Sequence, residues 1–494
     1  MKKLSKLVCS LAAAGAVMFS VLPLTACAKD GDELVLRVSS WEEYIDLGGW
    51  DESEKIELDS GKVIFGENSM VDDFTEWFNS THDYNIRVEY STFGTNEDLY
   101  NRLNLGDAYD LVCPSDYMIM QLMRENKLTK FSDGFFDNTV ETNYYIKNVS
   151  PFISDAFESF GGQDFAAGYM WGTTGIVYNP EAVEVDDVSS WNILRNPKYA
   201  RQVTVKDNVR DSYFPALGIL NAETLLSGEG DPDELLNAAD DETIEAALQI
   251  LKEIKENVYS FETDSGKADM ITGKVVANYQ WSGDAVFIMD EADGDESNPV
   301  ELWYSVPDEC TNLWFDGWVL LKDGIGGNER KQEAAEAFVN FLSRPDNAIR
   351  NMYYIGYTSA IAGEIVYEYL DWNYGVEGEG YEYDVSNFFG EGFEPLIVDA
   401  ATLEEENGVI NRGRQLFAQY PPKNITGRST IMVDFGDRLP AINQMWINVR
   451  CLDVKDFNPA VVWSVVAIVV AGAVAIVLYK FRYRIFYRDK KNES

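Results

Sequence analysis

Aromatic residues stand beside carboxylates at several short stretches of this sequence. The stretches are Trp41-Glu42-Glu43-Tyr44, Pro114-Ser115-Asp116-Tyr117, Asp207-Asn208-Val209-Arg210-Asp211 and Trp314-Phe315-Asp316-Gly317-Trp318, with further aromatic residues in Trp281-Ser282-Gly283-Asp284 and Gly356-Tyr357. An ammonium group over an indole face gains about 0.5–2 kcal/mol, and a carboxylate supplies the larger part of the attraction. Methylene groups pack on the same rings by apolar burial. The stretches predict a site for an organic cation, and an aliphatic diamine or polyamine meets all three requirements.

Any single stretch is also explained without a ligand, because Trp and Tyr commonly pack in cores and surface loops. The joint occurrence of several stretches after strand-like segments favours a binding site. In an open α/β sheet, the loops past the carboxyl ends of the strands converge on the ligand crevice. Arg210 is the single cation within the stretches, and its neighbours Asp207 and Asp211 are its expected partners.

Strand-like and helical segments alternate along the chain, which predicts an α/β fold with a parallel sheet. The predicted strands are 34–39, 86–90 and 109–113, and the predicted helices are 71–79, 96–105, 241–256 and 333–342. Gly- and Asp-rich segments at 228–232 and 290–299 predict loops. Residues 46–69 and 372–395 are rich in Gly, acidic residues and aromatics, which predicts surface insertions.

Composition excludes several classes of function. The 494 residues include 83 acidic residues, 40 basic residues and one histidine, for a formal net charge of −43. Neutralising nucleic-acid phosphates requires clustered Lys and Arg, so nucleic acid is not expected as a partner. A single histidine, His82, excludes zinc sites built on several imidazoles and argues against a Ser-His-Asp triad. We expect neither a metal nor a cofactor.

Both ends of the chain indicate targeting to a membrane. Residues 1–26 have the basic start and apolar run of a signal peptide, and Leu24-Thr25-Ala26-Cys27 resembles a bacterial lipobox that would lead to acylation of Cys27. Ordinary cleavage after Ala28 is the alternative. Residues 460–479 carry no charge and are long enough to span a bilayer, and the basic tail 480–494 predicts a cytoplasmic C-terminus with the main body outside. Cys113 and Cys310 are expected to be free thiols.

From about Leu34 to Tyr357 the chain resembles the spermidine/putrescine-binding proteins that deliver polyamines to ABC transporters. The resemblance rests on the order and spacing of Ser40-Trp-Glu-Glu-Tyr-Ile45, Tyr90-Ser-Thr-Phe-Gly-Thr-Asn-Glu97, Tyr109-Asp-Leu-Val-Cys-Pro-Ser115, Trp171-Gly-Thr-Thr-Gly-Ile-Val-Tyr-Asn179, Trp281-Ser-Gly-Asp284, Trp314-Phe-Asp316 and Ile355-Gly-Tyr-Thr358. It implies a two-lobed α/β periplasmic-binding-protein fold of type II, with a hinge, an interlobe cleft and no chemical reaction. Residues 27–165 are expected mainly in lobe 1 and 166–312 mainly in lobe 2, while 313–459 complete both lobes and carry an acidic insertion. The implied partners are a polyamine, an ABC permease and its ATPase.

The resemblance also implies the residues of the cleft, which are Trp41, Glu43, Tyr44, Ser115, Tyr117, Asp211, Thr263, Trp281, Trp314, Asp316 and Tyr357. Asp211 and Asp316 would pair with ammonium groups, Glu43 would be a further acceptor, and the indoles of Trp281 and Trp314 would sandwich the methylene chain. Backbone or turn hydrogen bonds explain Tyr44, Ser115 and Thr263 equally well.

Three positions depart from the pattern. Asn208 stands where the family commonly has an acidic residue, while Asp116 replaces a neutral hydroxyl residue and Glu42 does the same beside Trp41. The negative charge would therefore be redistributed across the cleft. This leaves the choice between putrescine and spermidine open. Other hypotheses are the same fold with another small solute, a carbohydrate-active enzyme using Glu42/Glu43 or Asp207/Asp211, and a surface sensor with a vestigial cleft.

Overall fold

The computed structural model describes residues 33–295, 299–406 and 408–451, together with 470–472, 475–476 and 479–480. The chain forms two compact units, residues 1–442 and residues 443–494. The described residues of the second unit are mainly helical, and the sheet and the candidate site belong to the first. Within the described ranges, no helix combines the length and apolar character needed to cross a membrane. The predicted signal peptide 1–26, Cys27, most of the predicted span 460–479 and nearly all of the tail 480–494 lie outside the described residues.

The strands are β1 Leu34–Trp41, β2 Ile56–Glu57, β3 Val63–Ile64, β4 Ile86–Phe93, β5 Leu111–Val112, β6 Leu128–Thr129, β7 Ala166–Tyr178, β8 Val203–Lys206, β9 Ser260–Glu262, β10 Ala277–Trp281, β11 Trp303–Ser305, β12 Thr311–Leu321, β13 Thr358–Ser359, β14 Tyr381–Tyr383, β15 Leu396–Val398, β16 Leu403–Glu406, β17 Val409–Gly413 and β18 Ser429–Thr430. The helices are α1 Met70–Thr81, α2 Asn96–Leu105, α3 Asp116–Arg124, α4 Tyr144–Asn148, α5 Pro151–Ser159, α6 Val185–Val188, α7 Val209–Leu220, α8 Ala222–Ser227, α9 Pro232–Leu236, α10 Asp241–Asn257, α11 Ser265–Ile271, α12 Ser282–Gly294, α13 Lys322–Ile325, α14 Glu329–Leu342, α15 Pro345–Ile355, α16 Glu364–Tyr374, α17 Ser386–Phe389, α18 Gln415–Gln419, α19 Lys423–Thr426 and α20 Leu439–Arg450.

The main sheet has two parts, which we call the first and second lobes. In the first lobe, β4, β1 and β5 run parallel, and β12 continues the sheet antiparallel to β5. In the second lobe, β9, β8 and β10 run parallel, and β10 lies antiparallel to one edge of β7. The other edge of β7 pairs with β11, which leads to β17 and β16. The predicted parallel α/β arrangement is therefore present in each lobe, with antiparallel strands added.

Two long strands, β7 and β12, connect the lobes, and we call them the crossing strands. The first part of β7 pairs with β12, and its second part pairs with β10 and β11. Every residue of both strands is buried. A strand covered on both faces favours continuous apolar and small residues over strict alternation, as in the sequences AAGYMWGTTGIVY and TNLWFDGWVLL.

Most of the predicted elements are present, and three predictions need correction. The predicted helix 96–105 is α2 with the same bounds, capped by the Thr95 side chain. The predicted loop 290–299 is wrong at its start, because α12 continues to Gly294. The segment 46–69 contains the β2–β3 hairpin and buries Trp50, so it is not purely a surface insertion. Likewise, 372–395 contains α17, which buries Phe388 and Phe389.

Candidate functional site

Most of the predicted site residues follow the carboxyl ends of parallel strands in the two lobes. Tyr44 follows β1, and Ser115 and Tyr117 follow β5 at the start of α3. In the second lobe, Asp211 lies in the first turn of α7, which follows β8, and Trp281 ends β10. Trp314 and Asp316 lie on the crossing strand β12, and Tyr357 precedes β13.

The centre of the site is a group of aromatic rings around one carboxylate. The Tyr44 ring contacts the Tyr357 ring edge-on at 5.0 Å between centroids, and the Trp314 ring lies 5.8 Å from that of Tyr357. The Tyr44 hydroxyl donates to Oδ2 of Asp316 at 2.6 Å. The structure therefore brings together four predicted site residues from separate parts of the chain.

Two glycines allow this close packing. A Cβ at Gly283 would lie 2.3 Å from Cγ of Tyr357, and a Cβ at Gly172 would lie 2.6 Å from the Trp314 ring. Because no side chain fits at either position, the Tyr357 and Trp314 rings rest directly on backbone.

Asp316 is buried, and one of its oxygens lacks a partner. Among the described residues, Oδ1 has no hydrogen-bond partner, whereas Oδ2 accepts from Tyr44. Burial raises the pKa of Asp316 to about 6, against the opposing effects of the Ser115 and Tyr44 hydroxyls, and the charge of Asp211 raises it further. At neutral pH the carboxylate is thus ionised but under-solvated, which favours the approach of a cation.

A second buried carboxylate, Asp211, lies beside the indole of Trp281. Trp281 Nε1 donates to Oδ1 of Asp211 at 3.3 Å. Burial raises the pKa of Asp211 to about 6, while the Trp281 hydrogen bond and the charge of Lys206 oppose the rise. Within the described residues, no ion pair involves Asp211 or Asp316. The two carboxylates therefore resemble each other in burial, pKa and lack of a salt-bridge partner.

The first two residues of α2, Asn96 and Glu97, form hydrogen bonds with three predicted site residues. The Asn96 side chain donates to the Ser115 hydroxyl at 3.1 Å and to the Tyr117 hydroxyl at 2.9 Å. Tyr117 donates to Oε1 of Glu97 at 3.2 Å, and Asn208 donates to Oε2 at 3.4 Å. Burial raises the pKa of Glu97.

The sequence analysis did not name Glu97 as a site residue, although Glu97 ends one of the motifs behind the resemblance. Its carboxylate accepts from Asn208, the position where the family commonly has an acid. Glu97 thus places a carboxyl group close to the position where Asn208 stands in place of an acid.

Three further predicted site residues contact other groups of the protein. Asp116 accepts from its neighbour Tyr117 N at 2.6 Å and from Phe315 N at 3.1 Å, so it joins α3 to β12, and burial raises its pKa to about 8. Trp41 packs on Phe93, with ring centroids 4.9 Å apart. Glu43 is exposed and accepts from Lys267 at 3.3 Å.

Three cations belong to this part of the fold, and two of them, Lys206 and Lys267, lie outside the predicted stretches. Lys206 and Lys267 both lie near Asp284, at 3.6 and 3.7 Å. The Arg210 guanidinium lies over the rings of Tyr117 and Phe435, at 4.5 and 3.8 Å from their centroids, and donates to the carbonyl of Val433. No motif marked the two lysines, and their shared partner Asp284 lies 17 or more residues further along the chain.

No cluster of His, Cys, Asp and Glu able to hold a metal ion occurs in the described part of the chain. Cys113 and Cys310 are buried and free, and burial raises the pKa of both thiols, as expected for structural cysteines.

Comparison with known proteins confirms the resemblance to polyamine-binding proteins. The spermidine/putrescine-binding periplasmic protein of Salmonella typhimurium is 29% identical over 360 residues, which cover 72% of this chain and 84% of the relative. The putrescine-binding periplasmic protein of Pseudomonas aeruginosa is 26% identical over 358 residues, covering 70% of this chain and 82% of the relative.

Solved structures and a family model also match this chain, and they concern its fold and its family. The spermidine/putrescine ABC transporter substrate-binding protein of Streptococcus pneumoniae, solved with calcium and HEPES, matches with a TM-score of 0.53 at 23% identity. The match covers 85% of this chain and 100% of that chain, and it shows the predicted α/β periplasmic-binding-protein fold. The family model for bacterial extracellular solute-binding proteins matches residues 69–364, more than half of the chain. This chain belongs to the bacterial extracellular solute-binding proteins and is not an enzyme.

Proposed function

We propose that this protein captures an aliphatic polyamine outside the cytoplasmic membrane and delivers it to the permease and ATPase of an ABC transporter. The observation that carries the proposal is the pair of buried carboxylates, Asp211 and Asp316, each beside aromatic rings and neither in an ion pair among the described residues. The names of the relatives support the same ligand class.

Each ammonium group of the ligand would pair with one carboxylate. A charge pair at 4 Å is worth about 4 kcal/mol at an effective dielectric constant of 20. The rings of Trp314, Tyr357 and Tyr44 would cover the methylene groups, since they form a continuous aromatic surface next to Asp316. No bond is made or broken in this step.

Capture would occur by closure of the two lobes around the ligand, with the closed form then recognised by the permease. Direct contacts between the lobes support this mechanism. Glu43 of the first lobe pairs with Lys267 of the second, and Glu97 of the first lobe accepts from Asn208 of the second. Such polar contacts are weak enough to break when the lobes open.

Isothermal titration of the purified full chain tests the proposal with putrescine, cadaverine, spermidine and spermine, and with glutamate and glucose as controls. Asp316→Asn removes the charge but keeps an oxygen that can accept from Tyr44. A charged hydrogen bond contributes about 1.5–3 kcal/mol, so the variant should bind about 10- to 150-fold more weakly.

Asp186→Asn is the matched control, because Asp186 is exposed on α6 and the same charge is removed there. If the wild-type protein binds none of the four amines, the proposed ligand class is wrong. A wider screen of small solutes would then follow. Unchanged affinity in Asp316→Asn would instead favour a site elsewhere or a sensor with a vestigial cleft. A carbohydrate-active enzyme is not favoured, since Glu42 and Glu43 are both exposed.

We also propose that the protein is tethered to the membrane, by a lipid on Cys27 and by a helix over residues 460–479. The lipobox-like sequence and the uncharged run followed by Lys480, Arg482 and Arg484 support this proposal. Tethering would raise the effective concentration of the binding protein at its permease. Metabolic labelling with a radioactive fatty acid tests the lipid, with Cys27→Ala as the control. A chain truncated after residue 459 that also carries Cys27→Ala should leave the membrane fraction. Release by either change alone would refute the other anchor.

A further inference from the structure

Lys206 is a buried lysine at the end of β8, and the sequence analysis passed over it. Its side chain is 1% exposed. Its Nζ lies 4.0 Å from the centroid of the Trp281 ring and donates to the backbone carbonyl of Thr263 at 2.7 Å. The nearest ion-pair partner is Asp284 Oδ2, at 3.6 Å.

These contacts are the ones expected for an amine of the ligand. Trp281 and Thr263 were both predicted to contact the bound polyamine, and each is instead in contact with the ammonium group of the protein itself. A cation over an indole with a carboxylate beside it satisfies both the π-face and the charge requirement. Trp281 therefore offers a ligand less of its π-surface than the resemblance implies.

Lys206 lies among carboxylates that differ in their partners. Asp284 pairs with Lys206 and with Lys267, and it also accepts from the Tyr357 hydroxyl at 2.9 Å. Asp211 and Asp316 take part in no ion pair within the described residues, and both have a pKa of about 6, so both are charged at neutral pH. Asp211 and Asp316 match the two ammonium groups of a diamine, whereas Glu97 already accepts from Tyr117 and Asn208. A third ammonium beside Trp281 would meet Lys206.

We propose that Lys206 occupies one amine position of the site, so that the site takes an aliphatic diamine rather than a longer polyamine. The inference rests on the proposed function and adds the ligand class and its determinant. A third ammonium placed next to Lys206 would face a like charge without a free carboxylate, and an unpaired desolvated charge is costly.

Titration of the wild-type full chain provides the first test and requires no variant. Putrescine or cadaverine should bind about tenfold or more tightly than spermidine and spermine. A preference for spermidine or spermine would overturn this inference and leave the proposed function standing. Absence of binding to all four amines would overturn both.

Lys206→Met provides the second test, since Met keeps a long unbranched side chain and removes the charge. The ratio of spermidine affinity to putrescine affinity should rise about tenfold or more. Lys274→Met is the matched control, because Lys274 also lies over an aromatic ring, that of Tyr259 at 4.5 Å, and pairs with Asp269 at 2.8 Å. In the control the ratio should change by less than about twofold.

A purely structural role for Lys206 would predict a lower melting temperature with an unchanged affinity ratio, and that result would overturn the inference. If Lys206→Met fails to fold, the double variant Lys206→Met/Asp284→Asn removes both charges together and leaves no unpaired carboxylate at that position. The same rise in the affinity ratio is expected, and its absence in the folded double variant would count against the inference.

Discussion

The affinity of the protein for a diamine should fall steeply as the pH is lowered from about 7 to about 5. Asp211 and Asp316 both have a pKa of about 6 in the free protein, raised above the ordinary value chiefly by burial. A bound ammonium group stabilises the ionised form, so binding requires each group to lose its proton. The ligand itself stays protonated, because aliphatic ammonium groups titrate near pH 10, as that of lysine does at about 10.4.

The size of the effect follows from these two pKa values. A carboxyl group with a pKa of about 6 is about 90% ionised at pH 7 and about 9% ionised at pH 5. Two such groups lower the fraction of doubly ionised protein, and hence the affinity, about 100-fold over this range. Since the charge of Asp211 raises the pKa of Asp316, the two protons leave over a wider range of pH than two independent groups would.

Other titratable groups lie near this pair and affect the pH dependence of binding. Lys206 and Arg210 lower the pKa of Asp211, and Glu97 raises it. Asp116 has a pKa of about 8 and stays mainly protonated below neutrality, so it contributes little to the change between pH 5 and pH 7.

The assay is isothermal titration with putrescine at several pH values, repeated in buffers with different ionisation enthalpies. Near pH 6 the two half-protonated groups should together release about one proton per ligand bound. In Asp316→Asn the loss of affinity between pH 7 and pH 5 should shrink to about tenfold, because one group remains. A wild-type affinity that changes less than about threefold over this range would refute the assignment of both carboxylates to the amine site.

Two further variants probe the framework of the site. Arg350 donates to Asp46 and to the carbonyl of Asn68, and pairs with Asp73 at 2.6 Å. Arg350→Met leaves buried Asp46 without its guanidinium partner and should lower the free energy of unfolding by about 3–5 kcal/mol in denaturant titrations; an effect below about 1 kcal/mol would contradict a structural role for this pair. Gly283→Ala places a methyl group against the Tyr357 ring and should cost about 1–3 kcal/mol by overpacking, with weaker amine binding. Full affinity in that variant would show that the ring position does not matter for the ligand.

Local patterns in the sequence were sufficient to predict several helices and strands of the first lobe. The helix 96–105 has capping residues at both of its ends, Thr95 and Gly106, so its bounds are determined by neighbouring residues. Strand β1 was predicted because β-branched and apolar residues alternate from Leu34. Such elements depend on contacts that lie close in sequence, which makes them accessible to prediction.

Several features determined by distant contacts were missed. The segment 46–69 looks like a solvated loop in composition, yet Asp46 is held by Arg350, 304 residues away. The aromatic and acidic stretches correctly predicted that Tyr44, Trp314, Asp316 and Tyr357 meet. Lys206 was not predicted as a site residue, because a lysine at the end of a strand is common. Its neighbours Trp281 and Asp284 lie more than 70 residues further along the chain.

The pairing of the crossing strands shifts by one residue next to Asp316, with consequences for how the protein can change during evolution. Asp316 pairs with Met170 and Gly317 pairs with Gly168, so Tyr169 is an extra residue in β7. Because side chains alternate between the faces of a strand, deleting this one residue would turn every side chain beyond it to the opposite face. Insertions and deletions can accumulate in exposed connections such as 228–231, whereas β7 must keep its length for both lobes to present their carboxylates to one ligand. Within this family, length variation should therefore concentrate in the loops and be rare between Ala166 and Tyr178.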